Sequence, residues 1–166
     1  MRLIKSLIFF LFISPLYAYT IPVSQKYVHG WRIIDSNTSI NIQTPVITNY
    51  GPGLLSVYCP YNTLERPSWR VYLTIRVRSL KDYRNHFRSY DLTNIDFLDK
   101  LLELETKNAG LYEHEFSYNQ MKFELLDIPI GLSSAVKLNT DFCISKHKQY
   151  RAFLENPHDP RRTNLE

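Results

Sequence analysis

Apolar and polar residues alternate most sharply over residues 69–78. Trp69, Val71, Leu73, Ile75 and Val77 fall on one side of an extended chain, and Arg70, Tyr72, Thr74, Arg76 and Arg78 on the other. A strand with this pattern buries one face and presents a basic one. Trp31–Ile34 and Ile40–Ile42 predict two further strands, with Asp35-Ser36-Asn37-Thr38 as the turn between them. Gly51-Pro52-Gly53 predicts another turn, after which Leu55, Val57 and Cys59 share the inward side of a strand. Residues 111–127 read as a hairpin. Tyr112, His114, Phe116 and Tyr118 alternate with Glu113, Glu115 and Ser117, then Met121, Phe123 and Leu125 alternate with Lys122 and Glu124. Asn119-Gln120 forms the turn, without the glycine such turns favour. Gly131–Leu138 fits one more strand.

The period lengthens between these runs. Leu80, Tyr83, Phe87 and Tyr90 recur every three or four residues and predict a helix, with Ser79 as N-cap and Asp82 three residues on. A second helix has Thr93 as cap, an apolar arc of Phe97, Leu98, Leu101, Leu102 and Leu104, and Gly110 just past its end. Asp96 with Lys100, and Glu103 with Lys107, are spaced to support it. Asp141–Glu155 fits either period and is assigned to a helix ending before Pro157. Residues 19–30 are polar and irregular, and 156–166 predict a disordered C-terminal tail. The sum is a single α+β domain over residues 19–155. It has an antiparallel sheet of about five to seven strands, with a helical insertion at about 80–109 packed on one face. A β-sandwich with one helical excursion is the alternative.

The first 18 residues read differently. Arg2 and Lys5 precede the apolar run Leu7–Ile13, which Ser14-Pro15 breaks, in the manner of a secretory signal peptide cut after Ala18. The run is shorter than the roughly 20 residues a membrane span needs. Leu16 stands where a small residue is usual, so an uncleaved anchor is the alternative. No later segment resembles a span, and no integral membrane span is expected after cleavage. Export, to a periplasm or the extracellular space, lets Cys59 and Cys143 pair; two separate buried thiols are the other reading. Neither cysteine has a second ligand at metal-binding spacing, and no metal or cofactor is expected. Asn37-Thr38-Ser39 matches a glycosylation acceptor, which matters only in a eukaryotic secretory route.

Composition and charge narrow the function. The chain has 166 residues, 44% hydrophobic and 14% aromatic, which excludes disordered and collagen-like classes. Its net charge of +4 falls to +2 once Arg2 and Lys5 leave with the signal, too little for a general nucleic-acid binder. That charge is segregated: seven basic residues and one acid lie between Arg66 and Tyr90, then five acids and one lysine between Asp91 and Glu105. Arg70, Tyr72, Arg76, Arg78, Arg84 and Arg88 are the candidate binding residues. They suit a protein partner, or a polyanion or phosphate-bearing glycan with tyrosine as a stacking surface. A solvated face, or an ion-pair network with the acidic helix, is the competing reading.

Catalytic signals are missing from the pattern. No GxSxG elbow or phosphate-cradling loop occurs, and His29, His86, His114, His147 and His158 form no metal or acid–base motif. The expected function is therefore an exported, non-enzymatic protein that binds another macromolecule, as an accessory component of a cell-envelope or secretion assembly. Two alternatives stand beside it: a small secreted hydrolase or nuclease using His86 or His114, and a secreted effector or inhibitor acting on a foreign protein.

Overall fold

A computed structural model describes residues 24–78 and 85–156. The expected signal segment 1–18, Ser79, Leu80, Asp82 and Tyr83 of the first expected helix, candidate residue Arg84, and the expected tail from residue 157 lie outside the described residues. Six strands follow one another in chain order and pair antiparallel with their neighbours: β1 (Ser24–Val28), β2 (Trp31–Asp35), β3 (Ser39–Thr48), β4 (Gly51–Pro60), β5 (Arg70–Arg78) and β6 (Asn85–Asp91). A 3₁₀ turn (Thr93–Ile95) and helix α1 (Phe97–Thr106) come next. The hairpin β7 (Tyr112–Tyr118) and β8 (Met121–Ile128) and the long helix α2 (Leu132–Glu155) complete the fold.

β3 joins the two parts of the sheet. One of its edges runs its full length against β4, from Ser39 opposite Pro60 to Thr48 opposite Gly51. The other edge serves two partners: β2 takes Ile40–Gln43, and β8 takes Ile47 and Thr48. Pro45, which has no N–H to donate, lies in the gap between them. The Asn49 side chain extends the β8 pairing beyond the strand end. Its amide donates to the Lys122 carbonyl at 3.0 Å, and its oxygen accepts the Glu124 N–H at 3.1 Å.

The buried apolar groups of β2–β5 turn to one side. Ile40, Ile42, Leu55, Val57, Leu73 and Ile75 are fully buried there, each contributing roughly 1.5–3 kcal/mol. The same side receives Phe97 and Leu101 from α1, Phe123 and Leu125 from β8, and Leu132 and Ala135 from α2. Trp31, fully buried, donates its indole N–H to the Pro129 carbonyl at 2.9 Å and so ties β2 to the start of α2. Cys59, on the inward side of β4, is bonded to Cys143 of α2, with Cα atoms 6.5 Å apart. Glu105 of α1 caps α2. Its two oxygens accept the Gly131 and Ser133 N–H groups at 2.7 and 3.0 Å, where the N-cap residue Gly131 has no side chain to do so.

The α+β class holds, with eight strands where five to seven were expected. The helical insertion shrinks to residues 93–106. Phe87 and Tyr90 belong to strand β6, whose residues are exposed except for the partly buried Tyr90, so no strand period shows in their polarity. Gly131–Leu138, read as a strand, is helical from Leu132 on, where α2 begins. β1 forms within the stretch read as irregular. The turn before β4 is Asn49-Tyr50, and Gly51-Pro52-Gly53 already belongs to the strand. Thr93 opens the 3₁₀ turn and accepts the Val71 N–H, while Asp96 precedes α1. The expected hairpin turn stands: Asn119 and Gln120 have φ of 47° and 66°, both left-handed.

Glu105→Ala removes both bonds to the α2 N-terminus and is expected to destabilise the fold by about 1–2 kcal/mol in denaturant unfolding, with Glu105→Gln milder. Replacing Cys59 and Cys143 by serine opens a loop of 84 residues. The loss expected from chain entropy is about 4–5 kcal/mol, and reductant is expected to shift the wild-type midpoint and leave the variant's unchanged.

Candidate functional site

The outward side of the strands carries the residues that the core does not use. Cross-strand register lines up Tyr27 of β1, Arg32 of β2, Gln43 of β3, Ser56 of β4 and Tyr72 of β5 in one row. Ile34, Asn41, Tyr58 and Arg70 form the next row, and Leu54, Thr74 and Ser89 lie on the opposite flank. Both helices and the β7–β8 hairpin pack on the inward side, and most of these outward positions keep part of their surface exposed.

At the centre lies an open basin of about 380 Å³, lined by Asn41, Ser56, Tyr58, Tyr72, Thr74 and Ser89. The Tyr58 and Tyr72 rings are 6.4 Å apart and meet at 72°, an edge-to-face corner. The Thr74 and Ser89 hydroxyls bond each other at 2.9 Å. Among the described residues, two buried side-chain atoms have no hydrogen-bond partner: Nε of Arg32 and Oδ1 of Asn41, both on this face. A buried polar atom left unpaired costs about 1–3 kcal/mol, so the fold gains nothing from holding either one there.

The candidate basic residues do not form one cluster. Arg70, Tyr72 and Arg76 share the outward side of β5, the two arginines separated by about 20 Å at 3.3 Å per residue. Arg78 ends β5, its backbone opposite Asn85. Arg88 is opposite Ile75 and therefore on the inward side, away from Arg76. Two of the acids of α1 are engaged locally. Glu103 bonds Lys100 and Lys107, which hold its carboxyl down at about 2, and Glu105 caps α2. The basic strand face and the acidic helix lie on opposite sides of the sheet.

The histidines are placed apart. His86 is on exposed β6 opposite Val77. His114 sits on β7 between Phe97 and Phe116, ring centroids 5.4 and 5.8 Å away, at the wall of a recess of about 450 Å³ that Asp96, Asp99, Lys100 and Glu103 also line. Burial, with Lys100 nearby, holds its imidazole below the ordinary value of 6.5. Of the carboxylates there, Glu103 is already bound to two lysines, which leaves it a weak partner for proton transfer. Among the described residues no group of three His, Cys, Asp or Glu side chains is placed to hold a metal ion, and no helix is long and apolar enough to cross a membrane.

No family model, curated protein or solved structure matches the chain. Sequence reasoning found Tyr72 and its flanking arginines and missed Asn41, Ser56 and Ser89. Those three join the two tyrosines only through strand pairing; the polar alternation of Asn41 with Ile40 and Ile42 was their one local signal.

Because the folded state disfavours protonated His114, it binds fewer protons than the unfolded chain just below pH 6.5, and stability falls as pH drops through that range. Denaturant midpoints measured between pH 7.5 and 5.5 are expected to decline less steeply in His114→Phe than in the wild type.

Proposed function

We propose that the chain is an exported protein without catalytic activity that binds another macromolecule through the outward face of its sheet, as an accessory component of a cell-envelope or secretion assembly. One observation carries this reading. The helices, the hairpin and the disulfide all serve one side of the sheet, while the other side presents Tyr58, Tyr72, Arg70 and Arg76 around an open basin. Tyrosine and arginine are the residues that most often anchor interfaces, since they bring area and directional bonding at low entropic cost. Export is supported by the N-terminal pattern of Arg2, Lys5 and Leu7–Ile13, and by the Cys59–Cys143 bond, which needs an oxidising compartment to persist.

A native mass spectrum of the protein purified without reductant from its own compartment is expected to show a retained partner. Tyr58→Ala with Tyr72→Ala is expected to release it while the unfolding midpoint stays unchanged, and His86→Ala and His114→Ala are expected to keep it. A bare monomer from the wild type sinks the reading. So does a hydrolytic activity that disappears in either histidine variant, which assigns the protein to the enzymes. Recovery from the medium in place of the envelope assigns it to a foreign target.

A further inference from the structure

Resting on the reading of the outward face as the binding surface, we propose that its ligand is an acidic glycan. A sugar ring sits in the corner between Tyr58 and Tyr72, and carboxylate or phosphate groups on adjoining sugars are held by Arg70 and Arg76. The basin supports the first half of this. All six of its residues are uncharged: two phenols, three hydroxyls and one amide. Two tyrosine rings meeting at 72° offer an apolar face to the C–H side of a sugar. The Ser56, Thr74 and Ser89 hydroxyls and the Asn41 amide match its alcohol groups, which both donate and accept hydrogen bonds. No aliphatic side chain lines the basin, so an apolar peptide anchor finds no pocket there.

Charge supports the second half. Arg78 at the end of β5 aside, the described strand positions on this face hold three guanidiniums, Arg32, Arg70 and Arg76, and one carboxylate, Asp91. That carboxylate already accepts the Thr93 N–H at 3.0 Å. Arg70 and Arg76 lie two and four residues from Tyr72, on the same side of β5 and in opposite directions. An oligosaccharide lying along the strand thus meets a guanidinium on either side of the stacked ring. Carboxylates and phosphates present the paired oxygens that a guanidinium fork bonds. The spacing gives contacts at separate points and lacks the continuous positive track that a nucleic-acid backbone requires.

The test is calorimetric titration of the oxidised protein, expressed with its own N-terminal segment. The probes are oligosaccharides of matched backbone in neutral, uronate-bearing and phosphate-bearing forms, with inorganic phosphate and a single-stranded oligonucleotide as comparators. At least one acidic form is expected to bind saturably and at least tenfold more tightly than its neutral counterpart. Which form does so identifies the anion. Tyr72→Ala is expected to weaken binding at least tenfold and Tyr72→Phe less than threefold. Arg70→Ala with Arg76→Ala is expected to abolish the preference for the acidic form while neutral sugar binding persists. The inference is overturned if no oligosaccharide binds, if inorganic phosphate or the oligonucleotide binds as tightly, or if Tyr72→Ala changes nothing. A partner that proves to be protein alone, released by the tyrosine variants, overturns the glycan assignment and leaves the binding face standing. A bare monomer removes that face as well.

Discussion

One edge of β3 has two partners, and the remaining architecture follows from that sharing. A strand edge offers each backbone group one bond, so β2 and β8 must divide it, with Pro45 in the gap. β2 continues the succession of strands in chain order. The β7–β8 hairpin instead folds over the inward surface, where Phe123 meets Tyr90 of β6 at 5.0 Å and Tyr50 at 5.2 Å. Asn49 reinforces the junction by bonding two β8 backbone groups as a further peptide unit would. The hairpin then becomes a platform for α1 through Phe116 and Phe97, 4.6 Å apart, and α1 in turn holds α2 through Glu105.

This arrangement divides the molecule's tasks between two surfaces. Stability resides on the inward side, in the aliphatic strand residues, Trp31, the aromatic cluster and the covalent link to α2. The outward side is spared packing duty, and side chains there can be chosen for what they meet in solution. The segregated charges follow the same division. Glu103 and Glu105 of α1 are consumed by nearby lysines and by the α2 N-terminus, so they serve the scaffold. Arg70 and Arg76 of β5 have no such employment among the described residues.

Legibility in the sequence tracked the depth of burial. β5 showed its strand period because Val71, Leu73 and Ile75 are almost fully buried and the alternate residues are not. The β7–β8 hairpin was clear for the same reason, with only its bulge between Tyr112 and His114 unforeseen. β6 was misread because solvent reaches both of its faces, which removes the contrast that marks a strand; Phe87 is 70% exposed. α2 was recognised only in its second half, since 24 residues bury just Leu132, Ala135 and Cys143 completely. A stripe that narrow leaves Leu132–Leu138 looking like any short apolar run. The basin needed more than local pattern, because Asn41, Tyr58 and Tyr72 become neighbours only when three strands take a particular order and register.

The Cys59–Cys143 bond also acts as a record of correct docking. Successive residues of a helix point about 100° apart, so α2 turned by a single residue carries Cys143 out of the core and away from Cys59. In the folded molecule the bond therefore closes only with α2 in this rotation over β4. Once closed, the bond keeps α2 from turning about its own axis on the sheet.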